Sequence, residues 1–178
     1  MSLLARRVPL HPDEILHSFV SRLAAANGAS NVSEFRRHFE LGSDSDVVAP
    51  KVLAKLSELS GLSVDLLASH HIRREGGWAW FRDQQLIQTS VNSAGLRYCA
   101  PCVSEDIHNG RGKIETRPYL RAAWAVAHNS VCPKHGRFLS PLKDLDRRYR
   151  WDFSLYYRDH RSEIETSVDK NAEAAISA

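Results

Sequence analysis

Apolar side chains recur at three- and four-residue spacing through the first third of the chain, the period of an amphipathic helix rather than a strand. Ile15, Leu16, Phe19, Val20, Leu23 and Ala26 fall on one face. Pro12-Asp13-Glu14 precedes them, with proline suited to a first turn and two acids suited to the positive end of a helix. Asn27-Gly28 offers a left-handed stop, so a helix is predicted over 13–27. Asn31 and Glu34 have capping-box spacing, and Val32, Phe35 and Phe39 continue a stripe that Gly42 ends, which predicts a second helix over 32–41. After the turn-rich 42–46 segment, Val52, Leu53, Leu56 and Leu59 make a third stripe that stops near Gly61. Ser63 is placed to cap a fourth helix carrying Val64, Leu66 and Leu67.

Two helices joined by a glycine turn between 56 and 63 suit a helix-turn-helix, although any small bundle needs the same turn. The period is lost from Arg73 to Leu96, where Gly76-Gly77, the cluster Trp78-Ala79-Trp80-Phe81 and a polar run read as an aromatic-bearing linker. Taken together, the pattern predicts a mainly α chain with little strand. A helix-turn-helix-like bundle occupies 1–75, a linker 76–96, a compact cysteine-bearing module 97–150 and a C-terminal tail 151–178. The last ten residues, short in large apolar groups, are expected to fray or to form a weakly held helix.

Composition narrows the function classes. The chain has 178 residues, 43% hydrophobic and 25% charged, which excludes a wholly disordered chain. It has neither the run of about 18–20 apolar residues that a membrane span needs nor an apolar leader, so a soluble intracellular protein is expected. The net charge of +3 is too small to name a partner, but it is unevenly spread. Residues 111–150 hold 10 basic and 3 acidic side chains. Arg111, Lys113, Arg117, Arg121, Arg147, Arg148 and Arg150 are therefore candidate phosphate contacts, joined by Lys134, Arg137 and Lys143. Tyr119, Trp124, Tyr149 and Trp151 are interleaved among them for stacking on bases or for packing.

Three cysteines make an odd set, which fits a disulfide framework poorly. Cys99-Ala100-Pro101-Cys102 and Cys132-Pro133-Lys134-His135 are instead two hooks of equal length, separated by 29 residues. Two intervening residues let a tight turn aim both ligands at one ion, and the two hooks supply a Cys3His set suited to one tetrahedral Zn2+. Four protein ligands leave no position for a reactive water, so the expected site is structural. The competing reading of Cys99 and Cys102 as a thioredoxin-like redox pair requires alternating strands and helices, and it leaves the second hook without a purpose. The connecting segment is longer than the span of a compact zinc ribbon and must hold structure of its own, with 119–126 as a helix or packed strand. His108 and His128 lie inside it as alternative ligands, though either would make an irregular hook. A metal-dependent nuclease using His128 would need further acidic or histidine ligands, and none stands at suitable spacing. No phosphate-binding glycine loop or nucleophile elbow is present.

The stretch Pro9 to Gly28, with Pro12-Asp13-Glu14, Ser18-Phe19, Arg22-Leu23-Ala24 and Asn27-Gly28, resembles the opening of TniQ proteins. Arg97-Tyr98-Cys99-Ala100-Pro101-Cys102-Val103-Ser104-Glu105-Asp106 is similar to their first knuckle. Trp124 followed by Val131-Cys132-Pro133-Lys134-His135-Gly136 resembles its close. The resemblance spans about residues 8–140. It implies a non-catalytic adaptor of DNA transposition in the bacterial cytoplasm. Such an adaptor links a target-recognition complex, an RNA-guided CRISPR effector in some transposons, to the AAA+ transposition regulator, with DNA or RNA in contact. It further implies that Cys99, Cys102, Cys132 and His135 hold zinc and that the 13–71 region supplies a helix-turn-helix and protein-contact surfaces. Many TniQ proteins carry a second cysteine-rich knuckle after the His-Gly hook, whereas here Ser140 to Asp146 contains no cysteine. That departure favours a short bridging member over an autonomous site-specific DNA binder. A stand-alone DNA-binding regulator using 48–71 is the competing reading.

Overall fold

The structure is a computed structural model of the chain and describes residues 3–43, 47–91, 97–142, 147–149 and 151–166. It is mainly α. The helices are α1 (Leu16–Ala26), α2 (Val32–His38), α3 (Pro50–Ser60), α4 (Val64–Ser69), α5 (Ala100–Asn109) and α6 (Phe153–Asp159). The strands are short: β1 (Arg73–Glu75), β2 (Trp78–Phe81), β3 (Gln84–Ile87), β4 (Arg97–Tyr98) and β5 (Ser140–Pro141). Among the described residues, no helix is long and apolar enough to cross a membrane.

Helix α1 is buried on nearly every side, with Ala25 the one residue of the eleven outside the buried set. A helix covered all round lies between packing layers rather than on a surface. One layer is a core of Leu16, Phe19 and Leu23 with Val32 and Phe35 of α2, Leu56 and Leu59 of α3 and Leu67 of α4. The second core gathers Ile15 with Val103 of α5, Leu120, Trp124 and the aromatic face of α6, and it contains all three cysteines.

The predicted start of α1 is displaced. Residues 13–15 pair with 120–122 in an extended bridge: Ile15 N donates to Leu120 O at 3.1 Å and Ala122 N to Asp13 O at 2.8 Å. Those tertiary bonds satisfy backbone groups that a first helical turn would have used, so the helix begins at Leu16. Helix α2 begins as predicted, with the Asn31 side chain accepting from Glu34 N at 2.8 Å. It ends at His38 rather than 41, because Glu40 takes a left-handed φ of 54° and Leu41 N closes on Arg36 O at 2.9 Å.

The turn between α3 and α4 requires glycine. Gly61 has φ +76°, and a Cβ there would lie 3.1 Å from Leu3 and 3.3 Å from Arg7. Ser63 caps α4 as expected, accepting from Leu66 N.

Two segments differ from the sequence expectation. The span expected as a linker contains an antiparallel meander in the order β1-β2-β3, pairing Arg74 with Ala79 and Ala79 with Leu86. Gly76 and Gly77 both take positive φ, the backbone of a tight two-residue hairpin. Ala79 is fully buried against Val91 and Ala125, which anchors the sheet to the cysteine-bearing half. The start of the expected C-terminal tail is helix α6, with Phe153, Tyr156 and Tyr157 buried across α1. Asp152 explains how it is held. Its carboxylate caps α6 through Leu155 N at 3.1 Å, caps α2 through Val32 N at 2.6 Å and accepts from Ser21 Oγ of α1 at 2.6 Å. One buried side chain thus satisfies two helix N-termini and a third helix. The last ten residues, expected to fray, lie outside the described residues.

Candidate metal centre and basic segment

Cys99 is the N-cap residue of α5 and Cys102 lies in its first turn, so their sulfurs meet where free N–H groups and the helix dipole favour thiolate. The second hook is a tight turn: Gly136 N donates to Cys132 O at 2.8 Å and Cys132 N to Arg137 O at 2.7 Å. The two hooks are brought together by the shortest ladder of the fold. β4, which leads into Cys99, pairs with β5, which follows the second hook, in the register Tyr98 to Ser140. The intervening Val131 and Phe138 bridge closes the turn.

The four ligand atoms consequently lie within 4.8 Å of one another. Cys102 Sγ is 3.7 Å from Cys132 Sγ, and His135 Nδ1 lies 3.2, 3.5 and 3.8 Å from the sulfurs of Cys102, Cys99 and Cys132. A tetrahedron with arms of about 2.3 Å to sulfur has edges of about 3.7–3.8 Å, so the donor set can hold one metal ion. A disulfide, at about 2.05 Å between sulfurs, does not fit the 3.7 Å separation. All three cysteines are buried free thiols. Hydrogen bonding from Cys102 pulls the Cys99 thiol down to about 5, while the same bond to Cys99 pushes Cys102 up. The site therefore favours a thiolate at its helix-capping sulfur.

Glu105 completes the surroundings. It lies one helical turn beyond Cys102, and its Oε1 is 3.1 Å from His135 Nε2. That bond fixes the ring with Nδ1 facing the sulfurs, the arrangement that orients a ligating imidazole. Partial burial opposes ionisation of Glu105, but hydrogen bonds from Lys134 and His135 outweigh it and hold the carboxyl below its ordinary value. The three-residue steps 99, 102 and 105 were the sequence signal for this residue, since they stack on one face of a helix. His108 and His128 are exposed and stand outside the cluster.

The basic segment divides. Arg121 is turned inward: its guanidinium makes two hydrogen bonds to Asp106, lies 3.3 Å from Asp13 and sits 4.1 Å over the Tyr119 ring. Arg117 braces its own loop by donating to the carbonyls of Ile107 and Gly112. Lys113 donates to Ala25 O at 3.2 Å, and Arg111 is exposed. Arg148 stands 4.5 Å over the Tyr149 ring, in the turn Arg147–Tyr149. Arg150 and Lys143 lie outside the described residues, as does the side chain of Arg147. Arg111, Lys113 and Arg117 are near neighbours in one loop, whereas Arg121 belongs to the interior.

A buried ion pair not anticipated from the sequence explains much of the N-terminal motif. Glu14 is fully buried and binds Arg22 Nη1 at 2.7 Å and Ser18 Oγ at 2.9 Å. Arg22 Nε donates to Thr116 O at 2.7 Å, and Leu120 N donates to Ser18 Oγ at 2.9 Å. These residues tie α1 to the loop between the hooks.

The family model of TniQ matches residues 5–139. The chain belongs to the TniQ family. TniQ proteins are transposition adaptors or regulators that work with other transposition proteins, and the matched span runs from the α1 leader through the second hook. No curated protein and no solved structure gives a match to the chain. In this TniQ chain, Asp13, Glu14, Ser18, Arg22, Glu105 and Asp106 are the positions that lock α1 and α5 around the Cys3His cluster.

Proposed function

We propose that the chain is a non-catalytic adaptor of DNA transposition, braced by one structural Zn2+ on Cys99, Cys102, Cys132 and His135. It bridges a target-recognition complex, RNA-guided in CRISPR-associated transposons, and the AAA+ transposition regulator. Family membership and the tetrahedral spacing of three buried cysteines with the partly buried His135 carry this reading. Zinc suits that donor set because it takes thiolates and imidazole in four-coordinate geometry, and four protein ligands leave no position for a reactive water. The ion works as a staple: it joins the N-terminus of α5 to a hairpin turn, and α5 in turn holds Arg121, Asp13 and α1.

A stand-alone helix-turn-helix DNA-binding regulator has one feature in its favour, the α3-Gly61-α4 turn. Helix α4 weighs against it, with six residues, an exposed Asp65 and no cationic side chain to meet phosphate. Reconstitution with the transposition proteins of the same element separates the two. The adaptor retains both the ATPase and the target complex and is required for insertion at the programmed target. Retention of neither, with sequence-preferring binding to a short duplex by the chain alone, would replace the adaptor with the regulator.

A further inference from the structure

Between the α1 leader and the end of α5 lies a cleft of about 480 Å³, lined in part by the buried Tyr119. Five cationic side chains line it: Arg22, Arg111, Arg117, Arg121 and Lys134. Two carboxylates, Glu105 and Asp106, also line it, and both are already engaged, Asp106 by Arg121 and Glu105 by Lys134 and His135. Arg117 donates only to backbone carbonyls, and among the described residues no carboxylate pairs with Arg117 or Arg111. The lining therefore retains positive charge after its internal pairs are made. His11, stacked on Tyr119 at 4.1 Å, senses that field: burial first, then the charges of Arg22 and Arg121, hold its imidazole down at about 4.

We infer that this cleft seats the phosphodiester backbone of a single-stranded nucleic-acid segment, with Arg111 and Arg117 on its phosphates. The inference deepens the adaptor reading by assigning its nucleic-acid contact to one place. Three arguments select the occupant. Phosphate is the anion that Arg forks favour, and phosphates spaced along a strand meet the two unpaired arginines of one loop. The volume admits about one nucleotide, in the range of small-ligand pockets. A duplex presents phosphates on a convex surface that reaches the rim of such a recess and not its floor. The metal-binding cluster sets the far wall, because Lys134 is part of the second hook and Asp106 part of α5.

The test uses the full metal-loaded chain and fluorescently labelled 12-nucleotide dT and rU strands, with a 12-base-pair duplex as the third arm, titrated by anisotropy from low to moderate salt. Arg111 is exposed and makes no hydrogen bond or ion pair among the described residues, so Arg111→Glu is expected to leave folding intact and is the main variant. Arg73→Glu, an exposed arginine on β1, is the charge-matched control. Single strands are expected to bind more tightly than the duplex. Arg111→Glu is expected to weaken them at least about tenfold and to lower the log–log salt slope by about 0.7, the value for one phosphate contact on a single strand. Unchanged affinity and slope for Arg111→Glu, an equal loss from Arg73→Glu, or tighter binding of the duplex would overturn the assignment. No ATPase or target complex is present in the titration, so its failure leaves the adaptor reading standing and the reconstitution above tests that reading separately.

Discussion

Arg121 grips Asp106 with two parallel hydrogen bonds of 3.0 and 2.8 Å while its Nε lies 3.3 Å from Asp13. The Arg121 and Asp106 side chains are 11% and 10% exposed, so their pairing is an interior joint to α5 rather than a surface ion pair, and the half-exposed Asp13 extends it to the α1 leader. Burial raises the Asp106 carboxyl despite the neighbouring guanidinium, so removing the cation leaves an acid that must stay neutral or open the interface. Arg121→Ala is expected to lower unfolding stability by about 3 kcal/mol, the range for breaking a buried pair on one side. Arg121→Leu combined with Asp106→Leu is expected to recover most of that loss. Urea titration of the three variants checks both, and a double variant as unstable as Arg121→Ala would contradict the account.

Glu105 holds the His135 ring through Nε2, so under the proposed function it acts on the metal at second hand. Glu105→Ala frees the imidazole to rotate and removes the acceptor at Nε2, and a lost outer-shell partner of this kind costs about 10–100-fold in metal affinity. Competition with a chromophoric chelator reads it directly. Affinity equal to that of the unaltered chain would show that packing alone orients the ring.

Asp152 is expected to be among the most sensitive positions outside the metal cluster. Asp152→Ala uncaps α6, removes the second acceptor at the start of α2 beside Asn31 and strands two buried N–H groups, a loss of about 3 kcal/mol. Asp152→Asn keeps an acceptor and should recover part of the stability. Denaturant midpoints of the two variants decide it, and equal midpoints would refute a capping role.

Stability should change with pH in a defined window. Burial holds His11 and His71 down at about 4, and burial likewise lowers His70 despite its bond to Glu14 O. Each binds a proton more readily unfolded than folded, so stability rises with pH from about 4 until the ordinary histidine value near 6.5. Glu14 works the other way. Burial raises it to about 7 against the pull of Arg22, so its folded form holds the proton longer and its contribution falls between about 4.5 and 7. Burial also raises Asp106 and Asp152, which act with Glu14 from the low end of the window, so the histidine-driven rise is read from single variants. Glu14→Gln should steepen that rise and His71→Phe should flatten it. Thermal melts of the variants and the unaltered chain across this window measure both, and a His71→Phe profile with the same pH slope as the unaltered chain would contradict the assignment.

The first four helices and the convergence of the two cysteine-bearing hooks were legible in the sequence because each rests on short-range spacing. Val52, Leu53, Leu56 and Leu59 repeat at the helical period and all four are buried. Cys99, Cys102, Cys132 and His135 repeat one hook length and converge. What the spacing did not carry depended on partners far along the chain. Asp13 and Glu14 had the composition of a first helical turn, but their neighbours at 120–122 offered a bridge and Arg22 offered a buried counter-charge. Arg121 counted as one more surface cation until Asp106 and Asp13 were placed beside it. Gly76-Gly77 did carry a local signal, a two-residue turn between Arg73-Arg74-Glu75 and Trp78-Ala79-Trp80-Phe81, and read as a linker only because the flanking strands are three and four residues long.

Zinc K-edge X-ray absorption on the full chain, with metal content measured on the same sample, is the most direct test of the metal centre at the heart of the account. The expected result is one zinc per chain in a first shell of three sulfurs near 2.3 Å and one imidazole nitrogen near 2.0–2.1 Å, lost together with stability in Cys132→Ser. A chain that carries no zinc, a shell dominated by oxygen, or a Cys132→Ser protein with the same zinc content and the same melting curve would contradict it.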